Sequence, residues 1–343
     1  MDRAPRRYLP AEWHPQAAIL LTWPHPDSDW ADQLPAVEAC FLQLAQAILD
    51  HQDLWISCPS VDQFYTQFPQ LRSERLRLFA LPSNDTWARD HAALTVLEDG
   101  QPVLLDFQFN GWGLQFPADR DNRLTRRWWS QYARSGLRYE SHLHFVLEGG
   151  SIESDGQGTL LTTAECLLSP NRNPGYSRGA IADYLRDALG AERLLWLENG
   201  ALLGDDTGGH IDTLARFCDP QTIAYVQCTD PTDAHYEGLA AMEAELQSFR
   251  RANGEAYRLI PLPMAEAVYQ EGRRLPATYA NFLITNHKVL LPFYQTPRDE
   301  RARAILAAQF PQREVVGIPC GALIQQNGSL HCVTMQFPQA LYL

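Results

Sequence analysis

Apolar residues recur at helical spacing in five stretches of the chain. From about Pro35 to Asp50, Val37, Phe41, Leu44 and Ile48 fall on one face of a helix. A second helix is predicted after Asp121, carrying Leu124, Trp128 and Tyr132. A third runs from about Gly179 to Leu189 and is stopped by Gly190. A fourth runs from about Asp233 to Ala252, with Gly254 beyond its end, and a fifth from about Arg298 to Gln309, before Pro311.

Between the helices lie short runs rich in Val, Ile, Leu, Tyr, Phe and Thr, bounded by Gly, Pro, Asn or Asp. Examples are Ala17–Trp23, Leu54–Cys58, His91–Leu97, Val103–Phe107, Thr159–Thr163, Ile211–Cys218, Thr222–Val226, Tyr279–Thr285, Val289–Tyr294 and His331–Phe337. Strand groups thus alternate with single helices about five times, which predicts an α/β ring or layered sheet. The repeat spacing is uneven, and periodicity alone fits a doubly wound sheet equally well.

With 343 residues, 45% of them hydrophobic, the chain can bury a substantial core in one large domain or two ordinary ones. The formal charge of -13 argues against a nucleic-acid partner, whose phosphates need a basic face. It suits a small cationic ligand. The opening MDRAPRRYLPAEW has no apolar segment behind its charges, so no signal peptide is expected, and no run is long enough to predict a membrane span. The seven cysteines form no CxxC pair; the expectation is reduced thiols in the cytoplasm, most of them buried small hydrophobes.

Four short segments combine Gly, acidic residues, His and Cys beside an apolar run: Asn84–Asp90 (NDTWARD), Leu147–Ser151 (LEGGS), Asp206–Asp212 (DTGGHID) and Gly328–Thr334 (GSLHCVT). If His210 and Asp212 begin a strand, both point to one face, and a His beside a carboxylate can serve as general acid and base. A turn followed by a strand with one satisfied His explains that motif equally simply. Cys332 follows a Gly-Ser turn; as strand neighbours, it and His331 would face opposite sides, so His331 is not expected to be its base. A buried core cysteine is the default for a single Cys. Asp85, Trp87, Arg89 and Asp90 could grip a planar cation or form a self-neutralised surface turn. Glu148 stands beside a Gly pair that could be any tight turn. His142 and His144 share a strand face but lack an evident third metal ligand, so no metal site is expected there.

Taken in order, NDxWxRD, FNxWG (Phe109–Gly113), LEGGS, TxxECLLxPNRNP (ending TAECLLSPNRNP, Thr163–Pro174), DxxGHxD and HCxT resemble the agmatine deiminase family, with parts shared by the related bacterial peptidylarginine deiminases. The opening Pro10–Pro24 (PAEWHPQAAILLTWP) is also similar to that family. The resemblance implies a pentein fold, a five-bladed α/β propeller with pseudo-fivefold arrangement, formed by residues 1–343 as a single catalytic domain. It implies that Cys332 is the nucleophile, His210 the acid and base, and Asp90 and Asp212 the carboxylates that hold a guanidinium. Glu148 matches the glutamate that supports the histidine, and Trp87 an active-site aromatic.

The reaction so implied is hydrolysis of agmatine to N-carbamoylputrescine and ammonia, a step toward putrescine, through a covalent thiouronium and without metal or organic cofactor. The same residues would serve a deiminase of peptidyl or free arginine. An amidinotransferase and, in another class, a non-catalytic guanidinium-binding protein are further alternatives, and a homodimer is left open. Two departures from the family pattern stand out. The stretch before the cysteine reads Gln326, Asn327, Gly328, Ser329 in place of a glycine run ending in Asn, and the residue before GH is Gly208 where Asp is usual.

Overall fold

The computed structural model describes residues 6–342. Its strands fall into separate small sheets of at most four strands, not into one extended doubly wound sheet, and five of these sheets share one topology. In each, a middle strand pairs antiparallel with one neighbour and parallel with another, and a helix connects the parallel pair.

The middle strands are Gln16–Thr22, Gln101–Gln108, Thr159–Thr163, Thr222–Gln227 and Lys288–Phe293. Their parallel partners are Asp53–Cys58, Arg138–Val146, Arg193–Leu197, Arg258–Pro263 and Glu314–Pro319. The connecting helices are Leu34–Leu49, Leu124–Tyr132, Arg178–Leu189, Tyr236–Ser248 and Pro297–Gln309. These are the five helices predicted from periodicity, with ends shifted by a few residues. The fourth is the most trimmed: it closes at Ser248, short of the expected Ala252.

The antiparallel partners are Leu94–Glu98, Ile152–Ser154, Ala215–Asp219, Leu283–Ile284 and, for the first sheet, Thr334–Pro338. The last long strand of the chain therefore completes the first sheet, where Thr334 pairs with Leu21 and Phe337 with Ala18. The first and second sheets gain a fourth strand each, Leu76–Ala80 and Arg7–Tyr8.

Each crossover helix buries the stripe that its sequence spacing presents. In Leu34–Leu49 the buried set is Val37, Cys40, Phe41, Leu44, Ala45 and Ile48. Each large side chain so buried contributes about 1.5–3 kcal/mol. Helix ends follow local chemistry. Ser177 accepts from the Ala180 N–H, Gly190 closes the same helix at φ 67°, and Thr296 with Asp299 forms a reciprocal cap. Among the described residues, no helix is long and apolar enough to cross a membrane.

Three expected strands start later than their apolar runs. His91 belongs to a helical turn, Ala88–His91, and the strand begins at Leu94. Residues 211–213 form a 3-10 turn ahead of Ala215–Asp219, so His210 and Asp212 are not on a strand face. His331, Cys332 and Val333 lie in a turn ahead of Thr334–Pro338. The run Tyr279–Thr285 contributes only the two-residue strand Leu283–Ile284. In each case a buried polar residue sits just upstream of the antiparallel strand, where a turn can aim it and a ladder could not.

Candidate active site

Those upstream turns are equivalent positions in the five sheets, and each supplies at least one buried polar or thiol group. Asp90 precedes Leu94–Glu98, Glu148 precedes Ile152–Ser154, His210 and Asp212 precede Ala215–Asp219, Asn281 precedes Leu283–Ile284, and Cys332 precedes Thr334–Pro338. All six are buried.

Gly150 marks the centre of the cluster. A Cβ on it would fall 2.6 Å from His210 Nδ1, 2.9 Å from Asp90 Oδ1 and 3.1 Å from Asp212 Oδ2. Only a residue without a side chain leaves that space open. His210 Nδ1 lies 3.7 Å from Asp90 Oδ1. The Cys332 sulfur lies 3.9 Å from Asp212 Oδ2 and 3.4 Å from Asn281 Oδ1.

Each carboxylate is held so that part of it stays free. Asp90 accepts from the Gly150 N–H at 2.9 Å and from the Trp112 indole N–H at 2.9 Å. Trp112 reaches it from an unusual backbone: Gly111, Trp112, Gly113 and Leu114 all have positive φ, between 54° and 82°. Left-handed turns disfavour L side chains, and a bulky residue there is strained by about 1–3 kcal/mol. Glycine at alternate positions makes the turn accessible, and the indole contact to Asp90 exploits it.

Asp212 accepts from His331 Nδ1 at 2.7 Å through Oδ2, while its buried Oδ1 has no protein partner. The other ring nitrogen of His331 lies 2.6 Å from Glu12 Oε2. Both nitrogens thus face carboxylate oxygens, an arrangement that the doubly protonated ring satisfies. Glu12 is pinned in turn by Arg216 at 3.0 Å, Arg89 at 3.4 Å and the Ile284 N–H at 2.6 Å, and Arg216 also pairs with Glu153. A buried chain of alternating charge therefore backs Asp212.

Asn281 links this chain to the sulfur. Its Oδ1 accepts from the His331 N–H at 2.8 Å, and its Nδ2 donates to the Asp212 carbonyl at 3.3 Å. Glu148 is held by Arg172 Nε, 2.9 Å and 3.1 Å from its two oxygens. Its oxygens thus accept from Arg172 and not from His210. Even so, one donor atom each of Glu148, Cys166 and His210 lies within 4.8 Å of the others, a grouping with the chemistry to hold a metal ion.

Burial raises the Cys332 thiol pKa well above its ordinary value, and the negative charges of Asp212 and Asp90 add to the rise. Burial alone would strip the proton from His210, but Asp90, the Cys166 sulfur and Glu148 outweigh it and hold the imidazole pKa well above its ordinary value. Burial pushes Asp90 up as well. Burial would also raise Asp212, yet the His331 hydrogen bond and charge reverse that and lower it. Without a bound cation the site favours a protonated Cys332 thiol and a protonated His210 imidazole.

Above Cys332 and Asp90 opens a cavity of 210 Å³. Its walls include the aromatic faces of Trp87, Trp112 and Phe116 and the carboxyl groups of Asp29, Asp85 and Asp206. Among the described residues, no lysine or arginine lines it. Burial raises Asp206 and Asp85 to about 6 each. Asp206 accepts from Asn327 at 2.7 Å, and Gly328 lies flat against Trp87, where a Cβ would meet the indole at 2.1 Å. The segment in which the sequence departs from the family pattern thus forms one wall of the cavity.

The site residues implied by the resemblance lie in this region: His210, Asp90 and Asp212 around Gly150, Cys332 beside Asp212, Glu148 near His210, and Trp87 on the cavity wall. His142 is elsewhere, with Nδ1 2.6 Å from the Tyr184 hydroxyl. Sequence reading missed Asn281, and left Glu12, Arg172, His331, Trp112, Cys166 and Asp206 without a role although they stand inside the quoted motifs.

The model of the Porphyromonas-type peptidyl-arginine deiminase family matches residues 8–338. The agmatine deiminase of Pseudomonas aeruginosa (strain LESB58) is 34% identical, with 96% of this chain and 95% of that protein aligned. Among solved structures, a C. jejuni agmatine deiminase variant with substrate bound is 34% identical, covers 98% of each chain and superposes with a TM-score of 0.91. A Porphyromonas gingivalis protein, provisionally described as an arginine deiminase, is 53% identical, covers 98% of this chain and 100% of that one, and superposes with a TM-score of 0.94. The chain belongs to the Porphyromonas-type peptidyl-arginine deiminase family.

Proposed function

We propose that this protein is an agmatine deiminase, a hydrolase of the guanidine C–N bond, which converts agmatine to N-carbamoylputrescine and ammonia on the way to putrescine. The observation that carries the reading is the cavity: Cys332, Asp29, Asp85, Asp90 and Asp206 line it, with no basic side chain among its described walls. Agmatine carries a guanidinium at one end and an ammonium at the other, and this cavity offers carboxylates to both. Free arginine would bring a carboxylate into the same field.

In the proposed mechanism Asp90 and Asp212 take the N–H donors of the guanidinium and fix its plane, Asp212 through its unpartnered Oδ1. The bound cation neutralises the charges that hold the Cys332 proton, and the thiol ionises, releasing its proton to solvent. The thiolate attacks the guanidinium carbon to give a tetrahedral adduct. His210, already protonated, gives its proton to the departing nitrogen, and ammonia leaves. The sulfur then carries a thiouronium. Water, deprotonated by His210, adds to that carbon; collapse expels the thiolate and releases the ureido product. Glu148 keeps negative charge beside His210, and Trp87 covers the substrate. No step requires a metal or an organic cofactor.

We further infer a pentein-type five-bladed arrangement acting as one catalytic unit over residues 1–343. The five sheets of shared topology, each supplying one turn to the cluster, support it. Seven free, buried cysteines support a reducing, cytoplasmic location.

Deimination of free or peptidyl arginine is a second reading, favoured by the 53% identity to the P. gingivalis protein. Ammonia release measured side by side on agmatine, arginine and a blocked arginine peptide decides between them. A higher kcat/KM on agmatine is expected. Preference for either arginine substrate would overturn the assignment.

A further inference from the structure

Cys166 is a second thiol beside the reacting centre, and the reaction does not use it. It sits in the short helix Ala164–Leu167, capped by Thr163, whose hydroxyl accepts from the Cys166 N–H. The same hydroxyl donates to the Gly209 carbonyl at 2.6 Å, tying this turn to the loop that carries His210. Cys166, Glu148 and His210 are each fully buried. Their sulfur, carboxylate oxygen and ring nitrogen come within 4.8 Å of one another. Among the described residues they are the one group of three or more such side chains close enough to share an ion.

A thiolate, an imidazole and a carboxylate are the donor set of a zinc-type ion, with bonds of about 2.0–2.3 Å and one coordination position left open. A second observation points the same way: neither ring nitrogen of the buried His210 has a hydrogen-bond partner. Glu148 is oriented by Arg172 Nε, as metal-binding carboxylates are commonly oriented by a donor behind them. The Cys166 thiolate, the Glu148 carboxylate and the neighbouring Asp90 together balance a divalent ion and the Arg172 guanidinium that pairs with Glu148.

We propose that Cys166, His210 and Glu148 form an inhibitory site for one zinc-type divalent cation, which silences the enzyme by occupying the imidazole that the reaction needs. Binding releases the Cys166 thiol proton, and any proton on the coordinating nitrogen of His210, to solvent. The metal keeps its oxidation state. The inhibition half of the proposal rests on the deiminase reading. The binding half does not, so the two can fail separately.

The test uses Co2+ as a spectroscopic probe and Zn2+ as inhibitor on the whole protein. One Co2+ per chain is expected, with a thiolate-to-metal charge-transfer band that persists in Cys332→Ser and disappears in Cys166→Ser. Wild-type protein alkylated at Cys332 should keep the band, a check that needs no variant to fold. Zn2+ should abolish ammonia release, and a chelator should restore it. Partners that only orient a metal ligand are worth 10–100-fold in affinity, so loss of the Cys166 ligand should weaken Zn2+ binding at least about 100-fold. A band lost in Cys332→Ser and kept in Cys166→Ser would move the metal to the nucleophile and overturn the proposal. Absence of the band from wild-type protein at saturating Co2+ would overturn it too.

Discussion

His331 Nδ1 lies 2.7 Å from Asp212 Oδ2, and this contact leaves Asp212 Oδ1 free to face a ligand. The residue next to the sulfur in sequence therefore acts on the guanidinium site, not on the sulfur, and is a positioning residue. His331→Asn should cut kcat/KM for agmatine at least about tenfold, because displacement by a fraction of an ångström is costly in an oriented reaction. The pH profile separates this role from general damage. Asp212 is held below its ordinary value largely by His331, so its charge survives until low pH in the native protein. Without His331 its pKa rises, and the acid side of the kcat/KM profile should move to higher pH. Glu12→Gln should give a smaller shift in the same direction. A variant with reduced stability but an unmoved acid limb would show that His331 has no part in tuning Asp212.

The Cys332 thiol is raised by burial and by Asp212 and Asp90, so in the empty enzyme it should ionise only above the ordinary thiol range of about 8.5. Alkylation of Cys332 by neutral iodoacetamide should then be slow at pH 7 and accelerate through alkaline pH. A haloacetamidine carries its own cation into the carboxylate pair and should react fast at neutral pH. Equal pH dependence for the two reagents would contradict substrate-assisted ionisation.

Asp206, raised to about 6 by burial, lines the cavity, accepts from Asn327 in the segment that departs from the family pattern, and is the candidate partner for the distal ammonium of agmatine. As pH falls through 6 its carboxyl becomes neutral and attraction for a cation is lost. KM for agmatine should therefore rise below pH 6. Asp206→Asn should raise KM about tenfold or more at pH 8, a charge-assisted contact being worth roughly 1.5–3 kcal/mol, with a smaller effect on kcat. Steady-state kinetics across pH 5–8 checks both; an unchanged KM in the variant would place the ammonium elsewhere.

Gly150→Ala adds one methyl group among His210, Asp90 and Asp212. Gly150 has no positive φ, so the backbone tolerates the change. Activity should fall by about two orders of magnitude or more, because the added atom displaces His210, Asp90 and Asp212 from their reacting positions, while overpacking of about 1–3 kcal/mol lowers the thermal midpoint by only a few degrees. Kinetics and a melting curve on the same preparation would reveal the opposite pattern, lost stability with retained turnover.

The helices and middle strands were legible because their apolar positions are continuous or strictly spaced, as in Gln16–Thr22, buried along its whole length. The outer parallel strands were less so. Arg138–Val146 opens with polar residues and is buried only at Phe145 and Val146, and Arg258–Pro263 buries only Leu262, its short apolar run interrupted by Pro261. Propensity also read Ile211 and Val333 as strand residues. Tertiary demand overrides it there, since His210, Asp212 and Cys332 must be aimed inward from turns.

The reacting residues were legible only through motifs taken in order. Asn281 had no such signal. It is one amide between Ala280 and Phe282, and its part in holding the His331 and Cys332 segment emerges only from three-dimensional proximity. Glu12 lies within a recognisable opening segment, but nothing in that segment says that its charge reaches Asp212 through His331.

The central claim is that Cys332 bonds to the guanidinium carbon during turnover. Acid-quenched mass spectrometry of enzyme mixed with agmatine tests it most directly. The account predicts a transient adduct equal to agmatine less ammonia, confined to the peptide that holds Cys332 and absent from Cys332→Ser. Steady ammonia release with that thiol unmodified throughout, or undiminished turnover by Cys332→Ser, would contradict it.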